Sequence, residues 1–224
     1  MDKQTLKDMS YSLNQRARDL ILNGDREEAL SVVEESLAGK KGFHDFCVKW
    51  ANMLLCYIGE KLGDDAVLEV HQQFAQVFRP PVIKEWEAAG ADPDHFPLEE
   101  FIKQRTSMWH GHDNEFTWQE DEEKYILTLT PCESGGRLNE WLDGNQDARM
   151  KGAKPYAYNE KGFSYYCLHC PTMWELGWIE QYGYPLIVFH PPQEAGGACV
   201  QYFYKHPRLI PDEYYQRLGI ERRS

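Results

Sequence analysis

Hydrophobic and polar positions divide the chain into two periodicities. Over the first ~110 residues apolar positions recur at three- and four-residue intervals, the spacing of one helix face. Phe46, Trp50, Met53, Leu54, Tyr57, Ile58 and Leu62 trace one such face, and Val67, Val70, His71, Phe74, Val77 and Phe78 trace the next. Pro80-Pro81 is expected to end that second helix, because proline lacks the amide hydrogen and clashes with the preceding turn. A shorter helix follows Pro97, with Leu98, Phe101, Ile102, Arg105, Met108 and Trp109 on one side. Two earlier helices, around residues 3–22 and 26–38, break at Gly24-Asp25.

After Gly111 the pattern alternates instead. Phe116-Thr117-Trp118 and Tyr125–Thr130 flank the acidic stretch Gln119–Lys124 and read as a hairpin. Residues 143–163, rich in Gly, Asn, Asp, Lys and Pro, read as a long loop, and Pro171–Gln181 as a short helix with proline in its first turn. Tyr184–His190 and Cys199–Lys205 read as two further strands, and Pro211–Leu218 as a small closing helix. Alternation predicts that Cys199, Gln201 and Phe203 share one sheet face. The fold class is α+β: a helical N-terminal half, residues 1–110, then a small antiparallel sheet with short helices in a cysteine-rich region, residues 111–224, the two forming one integrated domain. No β-α-β alternation, GxGxxG or GxxxxGK[ST] pattern is present, which leaves nucleotide cradles unsupported.

Charge and targeting signals narrow the partners. The formal net charge is -12, a balance that repels phosphate backbones and makes nucleic acid an unexpected partner. No apolar run reaches the ~20 residues that span a bilayer. The first residues lack the apolar core of a signal peptide, so a cytoplasmic location with six reduced cysteines is expected. The helical half packs on its own sheet or forms a homodimer interface; periodicity does not choose between them.

Candidate chemistry concentrates in the second half. Cys132 follows a strand and precedes Glu133-Ser134-Gly135-Gly136-Arg137, a context in which backbone N–H groups lower a thiol pKa or bind an oxyanion. The alternative is a buried thiol beside a tight turn, with Gly135 and Gly136 serving the backbone alone. Cys167-Leu168-His169-Cys170 has the spacing with which two thiolates chelate one ion. No second CxxC exists, so a zinc or iron site would borrow from Cys132, Cys199, His190 or the His110/His112 pair, with Cys132, Cys167, Cys170 and Cys199 the expected ligands. His110, His112 and Asp113 offer two imidazoles and a carboxylate for metal binding or general-base work; equally, they are a polar helix end. His71, on an apolar face with no second ligand one turn away, reads as a hydrogen-bonded core residue. Cys47 and Cys56 point to opposite sides of one helix and read as structural.

The arrangement of residues 112–206 resembles the L-2-amino-thiazoline-4-carboxylate hydrolase-like family. The hairpin Glu122-Glu123-Lys124 running into Tyr125–Thr130 and Cys132, then Cys167 and Cys170, then Gly197-Ala198-Cys199-Val200-Gln201-Tyr202-Phe203 carry the likeness. It implies hydrolysis of a C–N bond in a small heterocyclic or amide-like substrate. Cys132 would be nucleophile or ligand, His112 or His110 the base and Asp113 its orienting group. Arg137, with Gly135 and Gly136, would hold a substrate carboxylate. A zinc- or iron-binding protein and a non-catalytic small-molecule sensor are the competing expectations.

Overall fold

The computed structural model describes residues 11–88, 96–112, 115–192 and 196–222. It divides into two compact units, residues 1–47 and 48–224. In the first, α1 (Leu13–Asn23) ends at Gly24, whose φ of 89° is left-handed and suits a residue without a side chain. Helix α2 (Arg26–Leu62) begins directly afterwards. An Arg16–Glu28 ion pair of 2.8 Å ties the two helices across that turn.

Helix α2 runs unbroken through Gly39 to Asp45, where the sequence pattern suggested two separate helices. The apolar face read from periodicity is also not its buried face in the second unit. Trp50, Met53, Leu54 and Tyr57 are exposed, whereas Val48, Asn52, Leu55 and Cys56 are buried. Packing partners, not apolar content, select the inward side. Helix α3 (Asp64–Ala88) follows Gly63 and continues past Pro80-Pro81, so the expected stop does not occur there.

The second unit closes on a four-stranded antiparallel sheet of order β1-β2-β4-β3, which with the helices makes the chain α+β. The strands are β1 (Phe116–Glu120), β2 (Lys124–Leu129), β3 (Val188–His190) and β4 (Cys199–Tyr204). The acidic β1–β2 turn forms because Asp121 Oδ1 accepts the amides of Glu123 and Lys124, both at 2.8 Å. Across β2 and β4, Leu129 faces Cys199 and Leu127 faces Gln201. Cys199, Gln201 and Phe203 are all buried, as alternation requires, while Val200, Tyr202 and Tyr204 are half-buried. The core on this face adds Trp178, Ile187 and Phe189; each fully buried large apolar side chain stabilises by about 1.5–3 kcal/mol. A second core joins Leu55, Val67, Leu138, Leu142, Phe163 and Tyr165. Helix α4 (Leu98–Gly111) supplies Phe101 and Trp109 to the first core. Within the expected long loop lie two 3-10 turns, Gln146–Ala148 and Pro155–Ala157. Among the described residues no helix is long and apolar enough to cross a membrane.

Candidate active site

A cavity of about 540 Å³ opens within the second unit, lined mostly by aromatic and sulfur-bearing side chains. Helix α4 contributes Phe101, Arg105, Met108 and Trp109; β4 contributes Cys199 and Gln201. Cys132, Ser134, Gly135 and Gly136 come from the β2–α5 junction, α5 being Gly135–Asp143. Cys167, His169 and Cys170 come from the 3-10 turn Tyr166–Leu168 and the residues after it. The next turn, Pro171–Leu176, is a π-helix, and its wider winding places both Met173 and Trp174 on the cavity wall. Helix α6 (Gly177–Tyr182) continues from it with Trp178.

Cys132, the Cys167–Cys170 pair and Cys199, from three separate stretches of the chain, therefore line one cavity, and all six cysteines are free thiols. Among the described residues no three or more His, Cys, Asp or Glu side chains form a group that could hold a metal ion. The four thiols named as zinc or iron ligands thus share a cavity without being assembled as a ligand set. Of the other residues singled out from sequence, His112 lines the cavity, with its ring 5.9 Å from that of Trp109. His110 is exposed in the last turn of α4 and packs on Phe116 at 5.2 Å, away from the lining. Arg137 pairs with Glu133 one helical turn away and does not line the cavity. Asp113 lies outside the described residues. His190 sits opposite Val200 in the sheet, packs on Tyr202 and Tyr214, and is held near 4 by burial.

The thiols differ in their partners. Cys132 has its pKa raised by burial and by Cys170, against the backbone N–H groups of Gly135, Ser134 and Gly136, which bond to it. These glycines open α5, where the sequence suggested a turn before the helix. A β-carbon at Gly135 would lie 2.7 Å from Cys167 Sγ, and one at Gly136 would lie 2.8 Å from Pro131 Cβ. The Gly-Gly pair is therefore what lets the thiol and the proline close on the helix start. Cys167 is pushed far up by burial, and Cys199 likewise.

Cys170 is the thiol with an imidazole beside it: His169 Nε2 stands 3.4 Å from its Sγ. The other ring nitrogen, Nδ1, is 2.7 Å from the Tyr166 carbonyl oxygen. A carbonyl accepts, so Nδ1 carries the hydrogen and Nε2 presents its lone pair to the thiol. Burial drives the Cys170 pKa up to about 12 and lowers that of His169, so the resting pair is a neutral thiol and a neutral imidazole.

Arg105 was legible in the sequence only as one member of an apolar helix face. It is 5% exposed, and its guanidinium lies between the rings of Trp109 and Trp174, at 4.6 and 4.7 Å. Its Nη1 reaches Met108 Sδ at 3.2 Å, and its Nε has no partner. Burial pulls its pKa down to about 10, with Cys170, Cys132 and Cys199 opposing that shift, so it stays cationic at neutral pH. No ion pair to Arg105 exists among the described residues.

Behind this wall, Glu175 Oε1 accepts from Tyr158 Oη at 2.9 Å, Phe189 N at 2.7 Å and Arg217 Nη2 at 2.9 Å. Burial raises its carboxyl to about 7 despite the Arg217 charge. The bonds anchor two lining residues, Tyr158 and Phe189, to the π-helix that carries Trp174.

Compared with protein-family models, with curated proteins and with solved structures, the chain matches none.

Proposed function

We propose that the protein is a cytosolic hydrolase-like enzyme that cleaves a C–N bond of a small amide-like or heterocyclic molecule with a cysteine–histidine pair. The observation that carries this reading is the Cys170 Sγ–His169 Nε2 contact, with the imidazole tautomer fixed by the Tyr166 carbonyl. Nucleophile, base and orienting acceptor stand in that order, which is what thiol catalysis needs. The nucleophile is thus Cys170 in place of Cys132, and the base His169 in place of His112 or His110. Free thiols throughout support a reducing compartment.

Because the thiol is neutral at rest, the imidazole acts as general base during attack. Sγ bonds to the substrate carbonyl carbon while the thiol proton passes to His169 Nε2 and the carbonyl π electrons move to oxygen. When these return, the C–N bond breaks and the leaving nitrogen takes the proton from His169. Water then attacks the thioester and gives a proton to Nε2. The C–S bond breaks, the acid leaves, and the thiolate recovers its proton. An apolar cavity favours these transfers by excluding bulk water.

The test uses 4-nitrophenyl acetate, an activated ester that reports acyl transfer to a thiol. Cys170→Ala should abolish the nitrophenol burst, and His169→Gln should slow it by about 10²–10⁴-fold. Cys132→Ala should retain it. A burst intact in Cys170→Ala removes the proposal.

A further inference from the structure

Four buried polar atoms without a hydrogen-bond partner belong to residues that line the cavity, and among those residues the cation Arg105 has no ion pair within the described residues. Arg105 Nε, Trp109 Nε1, Trp178 Nε1 and Gln201 Oε1 are buried without a hydrogen-bond partner, and all four residues line the cavity. Buried polar atoms in native proteins are nearly always paired, and a buried cation without a counter-charge is more costly still. Thr172, Glu175 and Arg217 also carry unpartnered atoms, but Arg105 is a buried cation whose residue borders a cavity large enough to admit a counter-charge. The three donors among the lining four, one of them on a guanidinium, ask for an anionic acceptor; the lone acceptor asks for an N–H. At about 540 Å³ the cavity falls within the ~300–1,000 Å³ range of pockets for drug-sized ligands, beyond a single heterocyclic ring. Its wall of Phe101, Trp174 and Phe189 favours a planar apolar body.

We infer that the occupant is an N-acyl amide with a large aromatic or otherwise apolar acyl group and one carboxylate, the carboxylate lying on Arg105 and the amide N–H on Gln201. This rests on the hydrolase reading above and names its substrate class. It also moves the carboxylate partner from Arg137, which Glu133 already engages, to Arg105.

Two probes that differ by one charge test it: N-(2-naphthoyl)glycine and its uncharged relative N-(2-naphthoyl)glycinamide. Isothermal titration of the full chain should show the acid binding at least about tenfold tighter, as charge-assisted hydrogen bonds to a buried guanidinium produce. Arg105→Gln should erase that preference while leaving the amide's affinity within about threefold, since the apolar contacts remain. Arg105→Lys should keep part of it. Equal binding of both probes to the native chain overturns the inference, as does a preference that survives in Arg105→Gln. The native-chain comparison stands even if a variant fails to fold. Repeating the titration in Cys170→Ala, which lacks the nucleophile, reads binding without turnover, so the two proposals separate. Acid preference with a full acyl-transfer burst in Cys170→Ala sinks the hydrolase, whereas a lost burst with no acid preference sinks the anion site.

Discussion

Two buried polar assemblies lie within residues 48–224, and they are satisfied to different degrees. In one, Asn52 Nδ2 donates to the Ala148 carbonyl at 3.0 Å and to Cys56 Sγ at 3.5 Å. Its Oδ1 accepts from Tyr166 N at 3.0 Å and Ser164 Oγ at 3.3 Å. Nearby, His71 Nε2 donates to the Tyr165 carbonyl at 2.9 Å, and Tyr165 Oη donates to Asp64 at 2.6 Å. Every member has its partner inside the fold. In the other, on the cavity wall, Arg105, Trp109, Trp178 and Gln201 each carry a buried atom with none. The first assembly fastens α2 and α3 to the 3-10 turns leading to Cys170 and is complete without a ligand. The second has the incompleteness of a binding site. Buried polarity alone does not mark function; a buried cation without a counter-charge, on a residue that lines a cavity, points to a ligand.

The contrast can be broken most sharply at Asn52. Asn52→Ala strands the Tyr166 amide and the Ala148 carbonyl in a buried place, and should destabilise by about 3–5 kcal/mol in denaturant titration. A loss below about 1 kcal/mol would mean that water satisfies those groups and that the assembly is not a fastening.

Glu175 gives the next effect, as a pH dependence. Its carboxyl is raised from 4.5 to about 7, so between those values the folded chain holds a proton that the unfolded chain releases. Stability from this group is full below pH 4.5 and is lost as pH rises through 7, by up to roughly 3 kcal/mol. His71, lowered to about 4 by burial, acts oppositely: its contribution is present above 6.5 and lost as pH falls toward 4. Unfolding curves of Glu175→Gln and native protein from pH 4.5 to 7 should differ in slope, the variant having lost the decline contributed by this group. Parallel curves would place its titration elsewhere.

Arg105→Met should have the smallest effect on the fold. Removing an unpaired buried charge in favour of an apolar chain of similar reach is neutral to stabilising, by 0 to about 2 kcal/mol. Thermal melting that falls instead would show that the guanidinium between Trp109 and Trp174 is structural, and would remove the contrast with Asn52.

Much of the architecture was legible because it follows from short-range periodicity. Alternation put Cys199, Gln201 and Phe203 on one face, and they are buried together. The break at Gly24 and the first-turn position of Pro171 follow from backbone constraints on those residue types. The inward face of α2 was not legible: the apolar stripe of Trp50 and Tyr57 faces out, and the buried side carries Asn52, whose partners lie 96 and 114 residues away. Arg105 carried one faint signal, a charge within an apolar helix stripe. The role of His169 was hidden by adjacency to two cysteines, which gave the segment the look of a metal knuckle.

What the sequence determined by itself is the class of the fold and the inventory of its chemistry: helices then an antiparallel sheet, four thiols in the second half, and an acidic surface. These depend on residue type and on spacing along a regular backbone. Tertiary structure alone decided which thiols share a cavity, which arginine is buried without a counter-charge, and which polar atoms stay unpaired. Those are contacts between segments brought together by packing, and no local period encodes them.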